Sequence, residues 1–218
     1  MCNRGRDWSA MPGSDEVCVW QVTLDRAGAE PGSLTDAECR VACSIQGTRA
    51  RARYVAGRTL LRGRLGRLLG RDPLAVELVD GPDGKPALAE ALLSFNVSHA
   101  GDLVLIAISG PRRLGVDVEQ IRPGFDLGAA IEELLGPADR DAVTHAVARE
   151  GVGAFFRYWT RYEALVKARG DGLVLPLREL AELAPGFDVH ELDVATGYVA
   201  TVAADGRPWH VVGCTPCR

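Results

Sequence analysis

The chain has 218 residues, 47% of them apolar and 25% charged, with a mean hydropathy of +0.01. That is the make-up of one medium globular domain or two small lobes, and it excludes collagen-like, disordered and disulfide-scaffold chains. A net charge of −4, from 25 basic against 29 acidic residues, argues against a general nucleic-acid or membrane binder. No apolar run approaches the roughly 18–20 residues of a membrane helix, and Met1-Cys2-Asn3-Arg4-Gly5-Arg6 has no apolar stretch behind it. A cytoplasmic protein is therefore expected. Only Lys85 and Lys167 are lysines and every other one of the 25 basic residues is arginine, so these two positions are candidates for a compact ammonium in place of a guanidinium fork. Cys39 and Cys43 fall on one helix face and Cys214-Thr215-Pro216-Cys217 is a CxxC, but the pairs lie in unrelated contexts. They read as reduced, unliganded thiols rather than as a four-thiolate zinc site.

In chain order, Val17 to Leu24 alternates as a strand, and Pro31-Gly32-Ser33-Leu34-Thr35-Asp36 is a turn ending in an N-cap signal. A helix is predicted to about Gln46 and a second from Thr48 to Leu69, with Val55, Leu61, Leu65, Leu68 and Leu69 near helical spacing. Asp80-Gly81-Pro82-Asp83-Gly84-Lys85-Pro86 is a dense turn. Three strand-like runs follow, Phe95 to Ser98, Leu103 to Ile108 and Leu114 to Glu119, and their short separations predict an antiparallel meander. Helices are expected near Leu127–Leu135, Ala138–Glu150 and Ala154–Ala168, and the stretch from Asp188 to Val212 reads as terminal strands. Helices and a small sheet in each half, with a seam near Pro111, make an α+β protein of two similar lobes, 1–111 and 112–218.

Four segments carry chemistry. In Gly115-Val116-Asp117-Val118-Glu119, strand periodicity sets Asp117 and Glu119 side by side on one face with Val116 and Val118 buried on the other. Two neighbouring carboxylates repel unless a cation sits between them, although for the pair alone an acidic outer strand face is the simpler reading. On the helix through Phe155 to Lys167, Phe155, Trp159, Tyr162 and Val166 share an anchoring face, and Thr160, Glu163 and Lys167 share the next. Glu163 and Lys167 either form an exposed i, i+4 ion pair or serve a site, Glu163 as a third oxygen ligand and Lys167 facing an anion. Eight arginines from Arg49 to Arg71 precede any acid, a local positive face in an acidic chain. Phe95-Asn96-Val97-Ser98-His99-Ala100-Gly101 places a histidine where a strand runs into a turn, positioned to meet a phosphate.

Together, Gly84-Lys85-Pro86, then Phe95-Asn96-Val97-Ser98-His99, then Gly115-Val116-Asp117-Val118-Glu119, then Trp159-x-x-x-Glu163-x-x-x-Lys167 resembles the 4′-phosphopantetheinyl transferases of the larger, monomeric type, over roughly residues 49–176. The resemblance implies two fused, similar lobes. It also implies transfer of the phosphopantetheine arm of coenzyme A to a serine of an apo acyl or peptidyl carrier protein, with release of 3′,5′-ADP. By the same resemblance Asp117, Glu119 and Glu163 match the ligands of a Mg²⁺ ion, and Lys167 matches the lysine that contacts phosphate. Ser98 and His99 match the stretch holding the nucleotide's phosphates, Lys85 and Pro86 the loop beside the adenosine end, and Arg51 and Arg58 the arginines that catch the 3′-phosphate, with Arg53 as a substitute. Glu163 is the candidate base for the incoming serine. Tyr162 stands where many relatives carry lysine, with a packing role available in the apolar stripe. A non-catalytic binder of coenzyme A or carrier protein is the alternative, set aside because a dead relative could lose Asp117, Glu119, Glu163 and Lys167 without penalty. A metal-dependent phosphodiester hydrolase would need no arginine face to receive a protein.

Overall fold

The computed structural model describes residues 10–24, 34–81, 85–122, 124–172, 179–206 and 208–213. The CxxC at Cys214–Cys217 and Gly84 of the Gly-Lys-Pro motif lie outside them. Two helices open the fold, α1 (Asp36–Ser44) and α2 (Thr48–Leu69), after a first strand β1 (Glu16–Thr23). The N-cap signal is a capping box: the Thr35 hydroxyl accepts from Glu38 N–H while the Glu38 carboxylate accepts from Thr35 N–H at 3.0 Å. Short strands β2 (Leu78–Asp80) and β3 (Pro86–Leu88) pair only with each other and lead into β4 (Ser94–Ala100), β5 (Leu103–Ser109) and β6 (Leu114–Gln120). Helices α3 (Leu127–Leu134), α4 (Pro137–Glu150), α5 (Gly153–Arg169) and α6 (Leu180–Leu183) precede the closing strands β7 (Phe187–Glu191), β8 (Tyr198–Asp205) and β9 (His210–Gly213). No helix among the described residues is long and apolar enough to cross a membrane.

The expected α+β class holds: small, mainly antiparallel sheets packed with helices. The first sheet has the order β4-β5-β1-β9, and the second β6-β8-β7. Strand alternation sends Leu103, Leu105 and Ala107 of β5 to one face, where they meet Leu114, Val116 and Val118 of β6 and Ala200, Val202 and Ala204 of β8 in a core between the sheets. The opposite face of β5, Val104, Ile106 and Ile108, packs on Leu61, Leu65 and Leu68 of α2. On the far side α5 packs on the second sheet, so the layers run helix, sheet, sheet, helix. The last strand closes back on the beginning: β9 pairs parallel with β1, although it lies in the second half of the sequence.

The meander is the expectation the structure corrects. β4 and β5 form a hairpin through Gly101-Asp102, with Gly101 at φ +52°, but β6 leaves for the second sheet and pairs antiparallel with β8. The physical cause lies in the faces of β6. Its valines are needed in the core between sheets, while Gly115 on the other face receives α5 so closely that a Cβ there would collide with Ala164 O and lie 2.5 Å from Ala168 N. A third place in the first sheet would satisfy neither contact.

Candidate active site

The site is built where β4, β6 and α5 meet. Asp117 sits on β6 opposite Thr201, with its side chain on the α5 side, and only 4% of its surface is exposed. Its Oδ1 accepts from Lys167 Nζ at 2.6 Å and from Ser98 Oγ at 2.8 Å. Lys167 Nζ also reaches Ser98 Oγ at 3.3 Å, closing a triangle of one residue from each element. Lys167 thus turns across to the strand and does not form the exposed pair with Glu163 that helix spacing also allowed. Asp117 Oδ2 is buried without a hydrogen-bond partner. A charged, desolvated oxygen left in this way is costly, and it marks a place where a cation would be favourable.

The electrostatics of the three carboxyls agree with that marking. Burial pushes Asp117 up, against the opposing pull of Lys167 and Ser98. Glu119 rises to about 7, first through burial and then through the Asp117 charge, with Glu163 adding to it and Arg122 and Lys167 opposing. Glu163 is raised by burial first; Lys167 lowers it and Asp117 raises it. All three therefore share one field of like charge. They do not make a finished cage: among the described residues no three His, Cys, Asp or Glu side chains form a cluster ready to hold a metal ion.

Beside this acidic corner lies a cleft of about 210 Å³ lined by Arg53, Tyr54, Arg58, Pro86, Asn96 and His99, among others. The expected substrate-binding residues are thereby sorted. Arg58, Pro86 and His99 line the cleft, with Arg58 over the Tyr54 ring at 5.5 Å and 3.9 Å from Glu38 Oε1. Arg51 is not among the residues lining it: that exposed side chain donates to Ile45 O at 3.3 Å, and Arg53, two residues further along the helix, lines the cleft. Lys85 separates from Pro86. Its half-buried ammonium donates to Leu114 O at 2.6 Å and Lys167 O at 2.9 Å, so it ties the start of β3 to the start of β6 and the end of α5. Burial, with Lys167 second, lowers it to about 8.

The arginine run is not one positive face. Arg62 is buried, donating to Glu38 Oε2 at 2.7 Å and to Pro73 O and Val76 O. Arg49 pairs with Asp102 and Arg71 with Glu90, while Arg53 Nε donates to Gly101 O at 2.7 Å. Tyr162 is a packing residue, 3% exposed, with its ring 5.7 Å from that of Trp159. Two participants carried no individual assignment in the sequence reading. Asn96 lines the cleft and its Oδ1 accepts from Val116 N–H at 2.8 Å, and Thr160 meets Thr201 across the helix–sheet contact at 3.0 Å. The i, i+2 spacing of Asn96 with Ser98 was the available signal for the first.

Comparison with known proteins agrees with this layout. The family model of the 4′-phosphopantetheinyl transferase superfamily matches residues 113–212, a stretch that holds Asp117, Glu119, Glu163 and Lys167. The chain is 34% identical to 4′-phosphopantetheinyl transferase HetI of Nostoc over 214 residues, covering 90% of each. It is 36% identical to 4′-phosphopantetheinyl transferase AcpT of Salmonella typhimurium over 70% of this chain and 75% of the relative. To the 4′-phosphopantetheinyl transferase of Bacillus subtilis it is 27% identical over 57% of this chain and 55% of the relative. With the acidic strand, the lysine helix and near full-length similarity to HetI all in one chain, it belongs to the 4′-phosphopantetheinyl transferase superfamily.

Proposed function

We propose that the protein moves the 4′-phosphopantetheine arm of coenzyme A onto a serine of an apo acyl or peptidyl carrier protein, giving holo-carrier and 3′,5′-ADP. The observation that carries this reading is Asp117: a buried carboxylate with one oxygen held by Lys167 and Ser98 and the other without a partner, beside a cleft lined by Arg53, Arg58 and His99. The cleft's basic rim suits the phosphates of the nucleotide end, and its Tyr54 and Pro86 suit the base.

Mg²⁺ is the cofactor in this reading, held by Asp117, Glu119 and Glu163. The orphaned Asp117 Oδ2, and the burial followed by the Asp117 charge that lift Glu119 to about 7, fit a hard divalent ion completed by oxygens of the substrate and water, since the side chains alone make no closed cage. Bound there, the ion supplies charge neutralisation to the pyrophosphate. The chain's own groups do the rest. Glu163 accepts the proton of the carrier serine as its oxygen forms a bond to the nearer phosphorus of the pyrophosphate. The bond from that phosphorus to the bridging oxygen breaks, and the electron pair leaves with 3′,5′-ADP. Lys167 stabilises charge growing on the phosphate oxygens. The arrangement in two lobes, 1–111 and 112–218, and action as a cytoplasmic monomer complete the proposal.

The test is transfer itself. Protein, coenzyme A, Mg²⁺ and a panel of apo carrier proteins are incubated, and each carrier is weighed by mass spectrometry. A gain of one phosphopantetheine on the carrier serine is the expected result; carriers that all stay unmodified would overturn the reading.

A further inference from the structure

β6 is the edge strand of its sheet, so one side of its main chain has no strand to pair with. Carbonyls alternate sides along a strand, and Arg113 O accepts from Asp205 N–H of β8, which turns Leu114 O and Val116 O to the free side. Buried main-chain groups on such a side need partners from side chains. The chain's only two lysines both reach this edge: Lys85 Nζ donates to Leu114 O at 2.6 Å, and Lys167 Nζ to Val116 O at 3.5 Å. Lys85 has a second bond, to the helix. The N–H of Gly170 closes α5 on Val166 O, and the carbonyl after it, Lys167 O, belongs to the helix end that takes its donors from outside. Lys85 Nζ donates there at 2.9 Å, where the helix dipole also favours a cation. One ammonium thus joins the strand three residues before Asp117 to the helix at Lys167 itself, beside Gly115, where α5 leaves no room for a Cβ. Among the described residues no carboxylate pairs with Lys85, so its task is to donate to main chain and not to balance an acid.

We propose that Lys85 is a positioning residue of the transfer reaction, whose ammonium clamps the edge of β6 to the end of α5 and so keeps Asp117 and Lys167 in reach of each other. The inference rests on the transferase reading for the reaction. It goes beyond that reading by giving the Lys85 side chain a task apart from coenzyme A, while Pro86, the next residue, lines the cleft. The Lys167–Asp117 bond of 2.6 Å is then held from both ends, by Ser98 at the carboxylate and by Lys85 at the main chain of the helix and the strand.

Lys85→Met keeps the stem of the side chain and removes its donors, which separates positioning from binding. Titration calorimetry should give an affinity for coenzyme A within about twofold of the wild type, while kcat for transfer drops about tenfold or more, the scale for a misplaced reacting group. Weakened coenzyme A binding would make Lys85 a ligand and overturn the inference. An unchanged kcat would overturn it too, even with a lower melting temperature. The variant also leaves Lys167 as the sole lysine, so in protein made with ¹³C-labelled lysine its side-chain signal stands alone. Released from Asp117 and Ser98, that signal should move towards the position of free lysine; a signal that stays where the wild type has one overturns the inference. A wild type that transfers nothing strikes the transferase reading instead, and the lysine signal still decides the role of Lys85. Should Lys85→Met not fold, Lys85→Arg takes its place with the same readings, since it keeps charge and reach without the compact ammonium.

Discussion

At the scale of single residues, the two oxygens of Asp117 tell most of the story. One is locked between Lys167 and Ser98, and the other is buried and bare, so the side chain is held in place and still has a valence to offer. Glu163 is the group with the clearest chemical test. Glu163→Gln keeps the shape of a half-buried side chain and removes the base. Turnover, followed by the mass of the carrier, should fall at least about a hundredfold, within the range for a lost general base, with the melting temperature maintained. Glu119 gives a pH test. Its folded-state pKa stands near 7 against an ordinary 4.5, so the folded protein holds a proton that the unfolded chain has already lost. The stability this contributes is complete below about 4.5 and disappears as pH rises through about 7. Melting curves of the metal-free protein should therefore drop across that window. Glu119→Gln should lessen the slope, with the raised Asp117 and Glu163 carrying the remainder, and a wild type with no drop across it would contradict the burial and crowding of the carboxylates. Much of this corner was legible from residue types and spacing, because a DxE strand and an ExxxK helix have few uses in common. The direction of Lys167 was not, since a strand 50 residues away decides it. Nor was it legible that Arg53 rather than Arg51 lines the cleft, because both sit on a helix whose roll is set by the apolar stripe and not by charge.

At the scale of elements, the acidic strand depends on how α5 lies against it. Gly115 has no Cβ, and the helix backbone uses that space at Ala164 and Ala168. Gly115→Ala should cost about 1–3 kcal/mol by overpacking and displace Lys167 from Asp117. Denaturant melts should record the first effect, and a loss of transfer larger than the stability change would record the second. An unperturbed melt would show that the contact is slack. The α1–α2 pair is held differently. Burial pushes Glu38 up, but the hydrogen bonds from Arg62 and Thr35 outweigh it and hold the carboxyl below its usual range. Arg62→Met leaves that carboxylate buried without its guanidinium and should cost about 3–5 kcal/mol in urea unfolding. A change under about 1 kcal/mol would place Arg62 among ordinary surface pairs. From sequence, Arg62 reads as one of eight similar arginines. Its burial follows from a partner 24 residues earlier, a separation that no local pattern reports.

For the whole molecule, helix, sheet, sheet and helix are stacked so that β4 and β6 are brought face to face at the edge of the second sheet, with the cleft on one side and the acidic corner on the other. Most helices and strands were readable from periodicity, α2, α5 and the β4–β5 hairpin above all. The partition into two sheets was not readable, because short turns between strand-like runs imply neighbours and Gly110-Pro111 carries a crossing instead. The return of β9 to β1 is another long-range pairing without a local signal. The claim on which the function rests is that three acids from β6 and α5 share one divalent ion beside the nucleotide. Mn²⁺, as a paramagnetic stand-in for Mg²⁺, can be counted by electron paramagnetic resonance on the protein saturated with coenzyme A. One bound ion per chain is expected, with Asp117→Ala and Glu163→Gln each weakening it severely. Binding left unchanged by both substitutions would contradict the account.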